Sequence, residues 1–216
     1  MHVGILGGTG PAGRGLAARL AATGVTVTLG SREAPKGEQS AAELVAAWPD
    51  RHLEVRGGDN AAAAAAELVV VATPWQGVGA TLKPLAPALE GKVVISMVNA
   101  LEKEGREMLA FIPPRGSMAA QVQALLKGSL VAGALHHLPA AEMLDLDAGL
   151  AADVLVCSDH PEATSATMDL VEAVEGLRPL DAGSLAQAPA IEAFTAVCIT
   201  LNIKYKAHST LRLGGI

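Results

Sequence analysis

Short apolar runs alternate with longer alanine-rich stretches through the first half of the chain. The runs at residues 3–6, 25–29, 53–55, 68–72 and 93–97 lack the polar alternation of a half-exposed strand. Such runs are typical of parallel strands that are buried on both faces. Helical spacing is found between them, over residues 12–22, 38–48, 60–66 and 78–89. The pattern therefore predicts an α/β fold of Rossmann type, with a doubly wound, mostly parallel sheet.

The second half of the chain has a less regular pattern. A turn-rich sequence at residues 111–116 interrupts the repetition, and Ser117 is placed to cap a helix that ends near residue 126. The remaining predicted elements are strands at 130–135, 154–157 and 178–181, a helix at 162–174 and a final helix at 188–203. We therefore expect a first domain over residues 1–128 and a smaller α/β and helical portion over residues 129–216, packed on the first.

Composition and charge exclude several classes of protein. The 216 residues include 16 Lys and Arg and 22 Asp and Glu, a net charge of −6 that argues against general nucleic-acid binding. Cys157 and Cys198 are too few for a disulfide scaffold and suit a reducing compartment. No apolar run reaches the roughly 20 residues that span a bilayer, and the chain opens with a strand instead of a signal peptide. We expect a cytoplasmic protein without a membrane partner.

A glycine-rich turn follows the first predicted strand. The sequence Gly7-Gly8-Thr9-Gly10-Pro11-Ala12-Gly13 leads into the first helix and contains the spacing Gly-x-Gly-x-x-Gly. In this spacing the glycines permit a tight turn, close approach of the backbone to a pyrophosphate, and close packing of helix on strand. The helix N-terminus adds free N–H groups for the anion. The turn therefore predicts a dinucleotide site. The alternative is a purely structural turn, in which the three glycines would have this spacing by chance.

The end of the second strand indicates which dinucleotide is bound. NAD-binding folds usually place Asp or Glu there, where it accepts a hydrogen bond from the ribose 2′-hydroxyl. This chain has Ser31 and Arg32, with Lys36 one turn further on. A hydroxyl and two cations suit a 2′-phosphate, and we expect the adjacent Glu33 to point away from Arg32. We therefore predict NADP(H) as the nucleotide; the alternative is a solvated basic start of a helix.

Two further loops leave the carboxyl edge of the predicted sheet, where ligands bind in such folds. One contains Ala72, Thr73 and Pro74, and the other contains Met97 and Asn99. We expect these loops to form the wall of a nicotinamide site, and the alternative is ordinary turn chemistry.

The end of the chain is locally cationic. No Asp or Glu follows Glu192, whereas Lys204, Lys206 and Arg212 do. This segment would suit an anionic ligand, and the alternatives are a solvated tail or a dimer contact.

The chain has no evident group for proton transfer to or from a reacting alcohol. Short-chain dehydrogenases use Tyr-x-x-x-Lys, but the only tyrosine is Tyr205 and residue 209 is a serine. His136 and His137 follow a predicted strand, and adjacent residues of an extended chain point to opposite faces, so the pair is poorly placed to share a metal ion. At most one of them reaches a site, and the alternative is a structural hydrogen bond. We predict neither a catalytic acid or base nor a metal.

Together these features resemble the F420-dependent NADP reductase family over nearly the whole chain. The likeness rests on the glycine-rich turn, on Gly30-Ser31-Arg32 with Lys36, and on Thr73-Pro74-Trp75. Its most specific parts are Ala134-Leu135-His136-His137-Leu138-Pro139-Ala140-Ala141 and Gly176-Leu177-Arg178-Pro179-Leu180-Asp181-Ala182-Gly183. In that family the first octapeptide lies against the ring of a 5-deazaflavin, coenzyme F420. The resemblance therefore implies a ring-positioning role for His136, with contacts from Leu138, Pro139 and Ala140. Residues 204–216 depart from the family pattern.

The resemblance implies reversible hydride transfer between NADP(H) and F420 by a homodimer, and it accounts for the missing acid–base group. A deazaflavin exchanges hydride at carbon 5 and its ring nitrogen can exchange a proton with water, so the protein has to hold two rings face to face. Two other functions fit the same residues: an NADPH-dependent reductase of flavins or ferric complexes, and a non-catalytic NADP-binding sensor. A sensor would not need a second ligand pocket at residues 135–141.

Overall fold

The structure is a computed structural model that describes residues 1–216, and one large sheet forms its centre. The strands are β1 (His2–Leu6), β2 (Thr26–Ser31), β3 (Val55–Asp59), β4 (Leu68–Val71), β5 (Val93–Ser96), β6 (Leu101–Glu104), β7 (Glu107–Ala110), β8 (Leu130–Gly133), β9 (Ala152–Ser158) and β10 (Leu177–Asp181). Eight of them form the sheet in the order β10-β9-β8-β5-β4-β1-β2-β3, and β6 and β7 form a separate hairpin. All neighbours in the large sheet are parallel except β8 and β9. The predicted Rossmann-type fold is confirmed.

Helices cover both faces of the sheet. They are α1 (Pro11–Ala22), α2 (Ala34–Ala47), α3 (Asn60–Ala64), α4 (Val78–Leu89), α5 (Met118–Leu125), α6 (Ala140–Leu144), α7 (Pro161–Glu172) and α8 (Ala188–Tyr205). Strand residues alternate between two cores, so that Val70 belongs to one core and Val69 and Val71 to the other. Because both faces are covered, β4 is wholly buried, which explains an apolar run without polar alternation.

The third strand lies later in the chain than the sequence predicts. The apolar run suggested residues 53–55, whereas β3 is Val55–Asp59 and contains Gly57 and Gly58. Glycine has low strand propensity, so the pattern did not reveal this strand. A Cβ atom on Gly57 would lie 2.1 Å from the carbonyl oxygen of Gly37 in α2. Close packing of helix on strand, which requires glycine, fixes the position of β3.

The hairpin and helix α6 were not predicted. Strand β6 has the sequence Leu-Glu-Lys-Glu and is exposed on both sides, so it has no apolar alternation to detect. The hairpin packs on α8, where the Met108 amide donates a hydrogen bond to Thr200 Oγ1 at 2.9 Å. Helix α6 has only five residues and is too short to be stable by itself. Both elements depend on contacts with distant parts of the chain.

Helix α8 ends two residues later than predicted and is more exposed than a core helix. With the turn before it, it forms a 21-residue segment, Leu185–Tyr205, that by length and composition alone is apolar enough to cross a membrane. The sequence had led us to expect no segment of this kind. Helices in the cores of soluble proteins can be equally long and apolar. In this segment, 33% of the most apolar 18-residue stretch is buried within the chain. Ala188 and Ile191 pack in a small core with Ala119 and Cys157.

The residues after α8 are fixed to the sheet by the buried carboxylate of Asp153 in β9. This carboxylate accepts hydrogen bonds from Arg178 Nε and Nη2 at 2.8 and 2.6 Å and from the Leu213 amide at 2.6 Å. The hydrogen-bonded Arg178 guanidinium holds the pKa of Asp153 well below its usual range. Arg212 Nη1 also lies 3.3 Å from the carboxylate. At least this cation of the basic C-terminal segment is therefore paired within the chain.

The large sheet continues across the boundary that the sequence suggests at residue 128. Strand β8 lies after that boundary and pairs in parallel with β5, from Val93–Leu130 to Ser96–Gly133. The division into residues 1–128 and 129–216 stays a prediction.

Candidate functional site

A cleft of about 800 Å³ opens at the carboxyl edge of the sheet, where the loops after β1, β2 and β4 meet. Strands β2 and β3 lie on one side of β1, and β4 and β5 lie on the other. The chain order therefore reverses beside β1, which is where open α/β sheets bind ligands. Twelve of the predicted site residues line this cleft: Gly7, Thr9, Gly10, Pro11, Ala12, Gly13, Ser31, Arg32, Lys36, Ala72, Thr73 and Pro74.

The remaining predicted site residues lie outside the cleft lining. Gly8 belongs to the glycine-rich turn but does not line the cleft. The others are Met97, Asn99, His136, Leu138, Pro139 and Ala140. The cleft also includes residues that were not predicted as part of a site: Glu33, Asn60, Gly77, Ala80 and Thr81. Of these, Asn60 had a detectable signal, because a polar side chain that follows a strand at the carboxyl edge is a candidate in such folds.

The glycine-rich turn is held in place by backbone contacts that only glycine allows. Gly7 has a φ of +65°, and its amide donates a hydrogen bond to Asn60 Oδ1 at 2.9 Å. The Gly8 amide donates to the carbonyl oxygen of Gly30 at 2.9 Å. A Cβ atom on Gly13 would lie 2.6 Å from the Cα atom of Gly8, so α1 packs directly on the turn. These contacts aim the start of α1 at the cleft.

The N-terminus of α1 is open toward the cleft. Its N-cap residue is Gly10, and no side chain accepts a hydrogen bond from the first turn. A Cβ atom on Gly10 would meet nothing within 4 Å, so the space above it is free. Unpaired N–H groups and the positive end of the helix dipole favour an anion at this position.

Two free cations form one corner of the cleft. Arg32 and Lys36 line it, are exposed, and form no salt bridge within the chain. Ser31 is buried at the end of β2, and its Oγ accepts a long hydrogen bond of 3.4 Å from the Glu33 amide. Glu33 also lines the cleft, so one carboxylate shares this corner. The unpaired cations are available to a polyanion.

The loop after β4 forms the opposite wall. Thr73 is buried there, and its Oγ1 has no hydrogen-bond partner within the chain. Two residues further on, Trp75 donates a hydrogen bond from Nε1 to the Leu101 carbonyl oxygen at 3.2 Å. Its ring stacks on Phe111, with the ring centroids 5.9 Å apart. The wall is thus joined to the β6–β7 hairpin, and Thr73 Oγ1 has hydrogen-bonding capacity left.

A second candidate site lies where β8 ends. Asn99 Nδ2 donates a hydrogen bond to the carbonyl oxygen of His136 at 3.3 Å, and Thr195 Oγ1 donates to the same oxygen at 3.3 Å. Thr195 was not predicted as a site residue, since it lies in the middle of an apolar helix and is brought here only by packing. His136, His137 and Leu138 line a narrow crevice together with residues of β9 and with Ile191, and the crevice has no free volume for a water molecule.

The chain is not extended at the two histidines. Strand β8 ends at Gly133, Leu135 has a φ of +67°, and His136 and His137 form a turn. The prediction that the two side chains point to opposite faces assumed an extended chain, and that assumption is wrong. Their rings lie 6.4 Å apart between centroids, tilted by 54°.

The two imidazoles differ in their hydrogen bonds. His137 Nε2 donates to the Ile191 carbonyl oxygen at 2.7 Å, whereas neither ring nitrogen of His136 has a partner within the chain. Burial, reinforced by the nearby His137, lowers the pKa of His136 to about 3, and burial also lowers the pKa of His137. His136 is therefore neutral at pH 7, with one donor and one acceptor unused.

Helix α8 is attached to the second site by a buried carboxylate. Glu192 Oε2 and Oε1 accept hydrogen bonds from the Met118 and Ala119 amides, at 2.6 and 2.9 Å. Burial raises the pKa of Glu192 to about 7. Ser117 caps the same end of α5, as predicted, by accepting from the Ala120 amide. These bonds fix α8 to α5 one helical turn before Thr195.

The two cysteines supply no further chemistry near either site. Burial raises the pKa of Cys157 to about 12 and also raises the pKa of Cys198, so both thiols are protonated at neutral pH. No group of three or more His, Cys, Asp or Glu side chains lies close enough together to hold a metal ion.

Known proteins resemble this chain in sequence over nearly its whole length. A family model described as NADP oxidoreductase coenzyme F420-dependent matches residues 2–100. The F420-dependent NADP reductase of Methanocaldococcus jannaschii is 36% identical over 217 residues, which cover 97% of this chain and 96% of that protein. The metalloreductase STEAP3 of Rattus norvegicus is 30% identical over 212 residues, which cover 98% of this chain and 39% of that protein.

A solved structure has the same fold. It is a crystal structure from Arthrobacter sp. FB24, provisionally described as an F420-dependent NADP reductase, with a TM-score of 0.80 and 28% sequence identity. The match covers 96% of each chain.

Gly10 and Gly13 provide a test of whether the turn serves a ligand. Gly10→Val should leave the folded structure intact, because the added side chain enters free space above the helix. It should weaken NADP(H) binding by at least about 100-fold, equivalent to losing about 3 kcal/mol of charge-assisted hydrogen bonds. Fluorescence titration with NADPH and thermal unfolding measure the two effects.

Gly13→Ala is the matched control, because its methyl group would clash with the backbone of Gly8. It should lower the unfolding temperature, which Gly10→Val should not. Normal NADPH affinity in Gly10→Val would show that the turn is structural only.

Proposed function

The chain belongs to the family of F420-dependent NADP reductases, and from that membership we propose that it transfers hydride reversibly between NADP(H) and coenzyme F420. The observation that carries the proposal is the pairing of two sites at one sheet edge. One is a cleft with an open helix N-terminus and free cations, and the other is a buried crevice with a neutral imidazole.

NADP(H) fits the cleft. The amides that follow Gly10 suit the pyrophosphate, since they have no partner on side chains of the first turn. Ser31, Arg32 and Lys36 suit the 2′-phosphate, because both cations are unpaired. We assign the phosphates to Gly7, Gly8, Thr9, Gly10, Pro11, Ala12, Gly13, Ser31, Arg32 and Lys36.

We assign the nicotinamide to the wall formed by Ala72, Thr73 and Pro74, with Met97 and Asn99 at the next loop. The free Oγ1 of Thr73 supports this assignment, because a buried hydroxyl without a partner is available to a polar group of the ligand. Asn99 acts from outside the cleft lining, through its hydrogen bond to the His136 carbonyl oxygen.

We assign the deazaflavin ring to His136, Leu138, Pro139 and Ala140. The two unused ring nitrogens of His136 match a ligand that presents hydrogen-bonding groups at its edge. When bound, the deazaflavin supplies carbon 5 as the hydride donor or acceptor. The protein holds the two rings in contact and excludes water, which can supply roughly 7–11 kcal/mol of the barrier reduction without any protein acid or base.

We propose that the active form is a cytoplasmic homodimer in which the second copy covers one face of α8. Phe194, Val197, Leu201 and Tyr205 recur every three to four residues and are 41–67% exposed, so they form an apolar stripe. The neighbouring hairpin extends this surface with Leu109, 41% exposed. Continuity of the stripe with the hairpin favours a folded partner of the same shape over nucleic acid or a membrane.

An NADPH-dependent reductase of flavins or ferric complexes is the second candidate, and the similarity to rat STEAP3, which is named a metalloreductase, favours it. That protein is matched over only 39% of its length, and Leu135–Ala141 would have no stated role in such a function. A non-catalytic NADP sensor is the third candidate, and it leaves the unpaired imidazole of His136 unexplained.

One assay separates the three candidates. The protein is mixed anaerobically with NADPH and, in separate reactions, with oxidised F420, a free flavin or a ferric complex. We expect the absorbance of oxidised F420 to disappear at a far higher rate than either other acceptor is reduced. Reduction of the ferric complex with F420 untouched would support the second candidate, and NADPH binding with no turnover would support the sensor.

The cationic corner predicts a preference for NADP over NAD. Arg32→Ala should remove about 1.5–3 kcal/mol of charge-assisted bonding to the 2′-phosphate, which weakens NADPH binding roughly 10- to 150-fold and leaves NADH binding almost unchanged. Titration with each nucleotide measures this preference. Arg56→Ala removes an exposed cation of β3 that does not line the cleft, so it should change neither affinity. Equal affinity of the wild type for both nucleotides would contradict the assignment.

His136 predicts a specific effect on the second substrate. His136→Phe keeps an aromatic ring but removes two unpaired buried nitrogens, so the unfolding temperature should stay the same or rise. The KM for F420 should increase, with a modest fall in kcat and no change in NADPH affinity. In the wild type this KM should show no titration near pH 6.5, because the imidazole gains charge only as the pH falls toward about 3.

His137→Ala should instead act mainly on stability, since it removes the bond to Ile191. A loss of a million-fold in rate with F420 binding intact would refute the positioning role.

A further inference from the structure

Helix α1, which carries the nucleotide turn at its N-terminus, contacts the segment assigned to F420 along its side. The contact is made by Gly15 and Arg19, which are four residues apart and therefore lie on one face of α1. Gly15 meets α6, and Arg19 meets both α6 and the loop that follows it. The polar contacts of Arg19 are with residues 142–148, directly after the Leu138–Ala140 segment, and Gly15 packs against Ala140 itself.

Arg19 makes an unusual set of hydrogen bonds for a buried cation. Its side chain is turned toward main-chain oxygens only: Nε donates to Met143 at 3.2 Å, and Nη2 donates to Glu142, Asp145 and Ala148 at 2.6, 2.5 and 2.9 Å. These oxygens belong to the C-terminal end of α6 and to the loop beyond it. A cation at this end complements the helix dipole and satisfies carbonyl groups that the short helix leaves unpaired. Arg19 therefore holds α6 in its helical form and in its place.

Gly15 sets the distance between the two helices. A Cβ atom there would lie 2.7 Å from Met143 Cβ and 3.1 Å from the Ala140 carbonyl oxygen. Ala140 begins α6 and is itself assigned to the coenzyme ring, as is Pro139 before it. Any side chain at position 15 would push α6, and with it the Pro139–Ala140 segment assigned to the ring, away from α1.

From these contacts we propose that Arg19 and Gly15 are positioning residues that fix the F420-binding wall relative to the nucleotide-binding helix, and so set the distance between the two rings. The inference rests on the proposed function. Arg19 lies nine residues after Gly10, about 13 Å along the helix axis, so it touches neither ring. It acts through α6, and a displacement of about 1 Å between reacting groups can cost on the order of 100-fold in rate.

Arg19→Met tests the proposal, since it keeps the length and apolar part of the side chain and removes every donor. Single-turnover mixing of the NADPH-bound protein with F420 should show a 10- to 100-fold slower hydride transfer. A deuterium at the transferred position of NADPH should slow the reaction by a larger factor than in the wild type, because the chemical step becomes limiting. NADPH affinity should stay within about threefold, since the glycine turn is untouched. Arg19→Lys keeps the charge and should restore part of the rate.

Arg51→Met is the matched control. Arg51 forms an exposed 2.7 Å salt bridge with Asp147 in the same loop and has no hydrogen bond or salt bridge with α6. It should leave the hydride-transfer rate, the isotope effect and NADPH affinity at wild-type values.

Hydrogen exchange of the free protein gives a readout that needs neither substrate. The amides of Met143 and Asp145, which bond within α6, should exchange faster in Arg19→Met but not in Arg51→Met. If Arg19→Met does not fold, Gly15→Ala tests the same spacing with the cation in place and should also slow hydride transfer at unchanged NADPH affinity.

An unchanged transfer rate and isotope effect in folded Arg19→Met, with only a lower unfolding temperature, would overturn the proposal. A parallel loss of NADPH affinity would do the same, since Arg19 would then act on the nucleotide turn. Absence of F420 reduction by the wild type itself would refute the proposed function instead, and faster exchange of the α6 amides would still report on Arg19.

Discussion

The close approach of α1 to the sheet is the constraint on which both candidate sites depend. Gly13 and Gly8 touch backbone to backbone, so the helix cannot move outward without losing the turn, or inward without a clash. This contact directs the open N-terminus of α1 into the cleft. The far side of the same helix then meets α6 through Gly15 and Arg19. One rigid helix therefore carries the nucleotide turn at its end and supports α6 along its side.

The single antiparallel pairing of the sheet explains where the second site is. Because β9 runs against β8, its first residues lie beside the carboxyl end of β8 instead of at the opposite edge. The chain leaves β8 through Leu135, whose positive φ costs on the order of 1–3 kcal/mol. The turn separates His136 and His137 from the strand and opens the crevice between the two strands. Asp153, with Arg178 and the C-terminal residues, closes the far side of this region.

The sequence was sufficient wherever one local pattern determines one local structure. The glycine spacing predicted the turn, apolar runs predicted β1, β4 and β5, and Ser117 predicted the start of α5. The sequence was insufficient where contacts between residues far apart in the chain determine the local structure. Strand β3 depends on the packing of Gly57 on Gly37, and α6 depends on Arg19. Thr195 was missed for the same reason, since it acts through a hydrogen bond to a residue more than 50 positions away. The turn at His136 was misjudged because no glycine or proline signals the positive φ at Leu135.

The two sites divide their physical tasks between charge and shape. In the cleft, Arg32 and Lys36 remain in water and unpaired, so they can attract a phosphate without the cost of burying a charge. In the crevice the opposite holds: burial keeps His136 uncharged over the whole physiological pH range, and its surroundings are mainly apolar. A hydride moves with two electrons, so an imidazole in contact with a ring would alter the relative energies of the two rings if it changed its charge between pH 5 and 8. Glu192, whose pKa burial raises to about 7, is hydrogen-bonded to the start of α5 instead. A neutral imidazole can still form hydrogen bonds but adds no such charge, which is the property that a positioning mechanism requires.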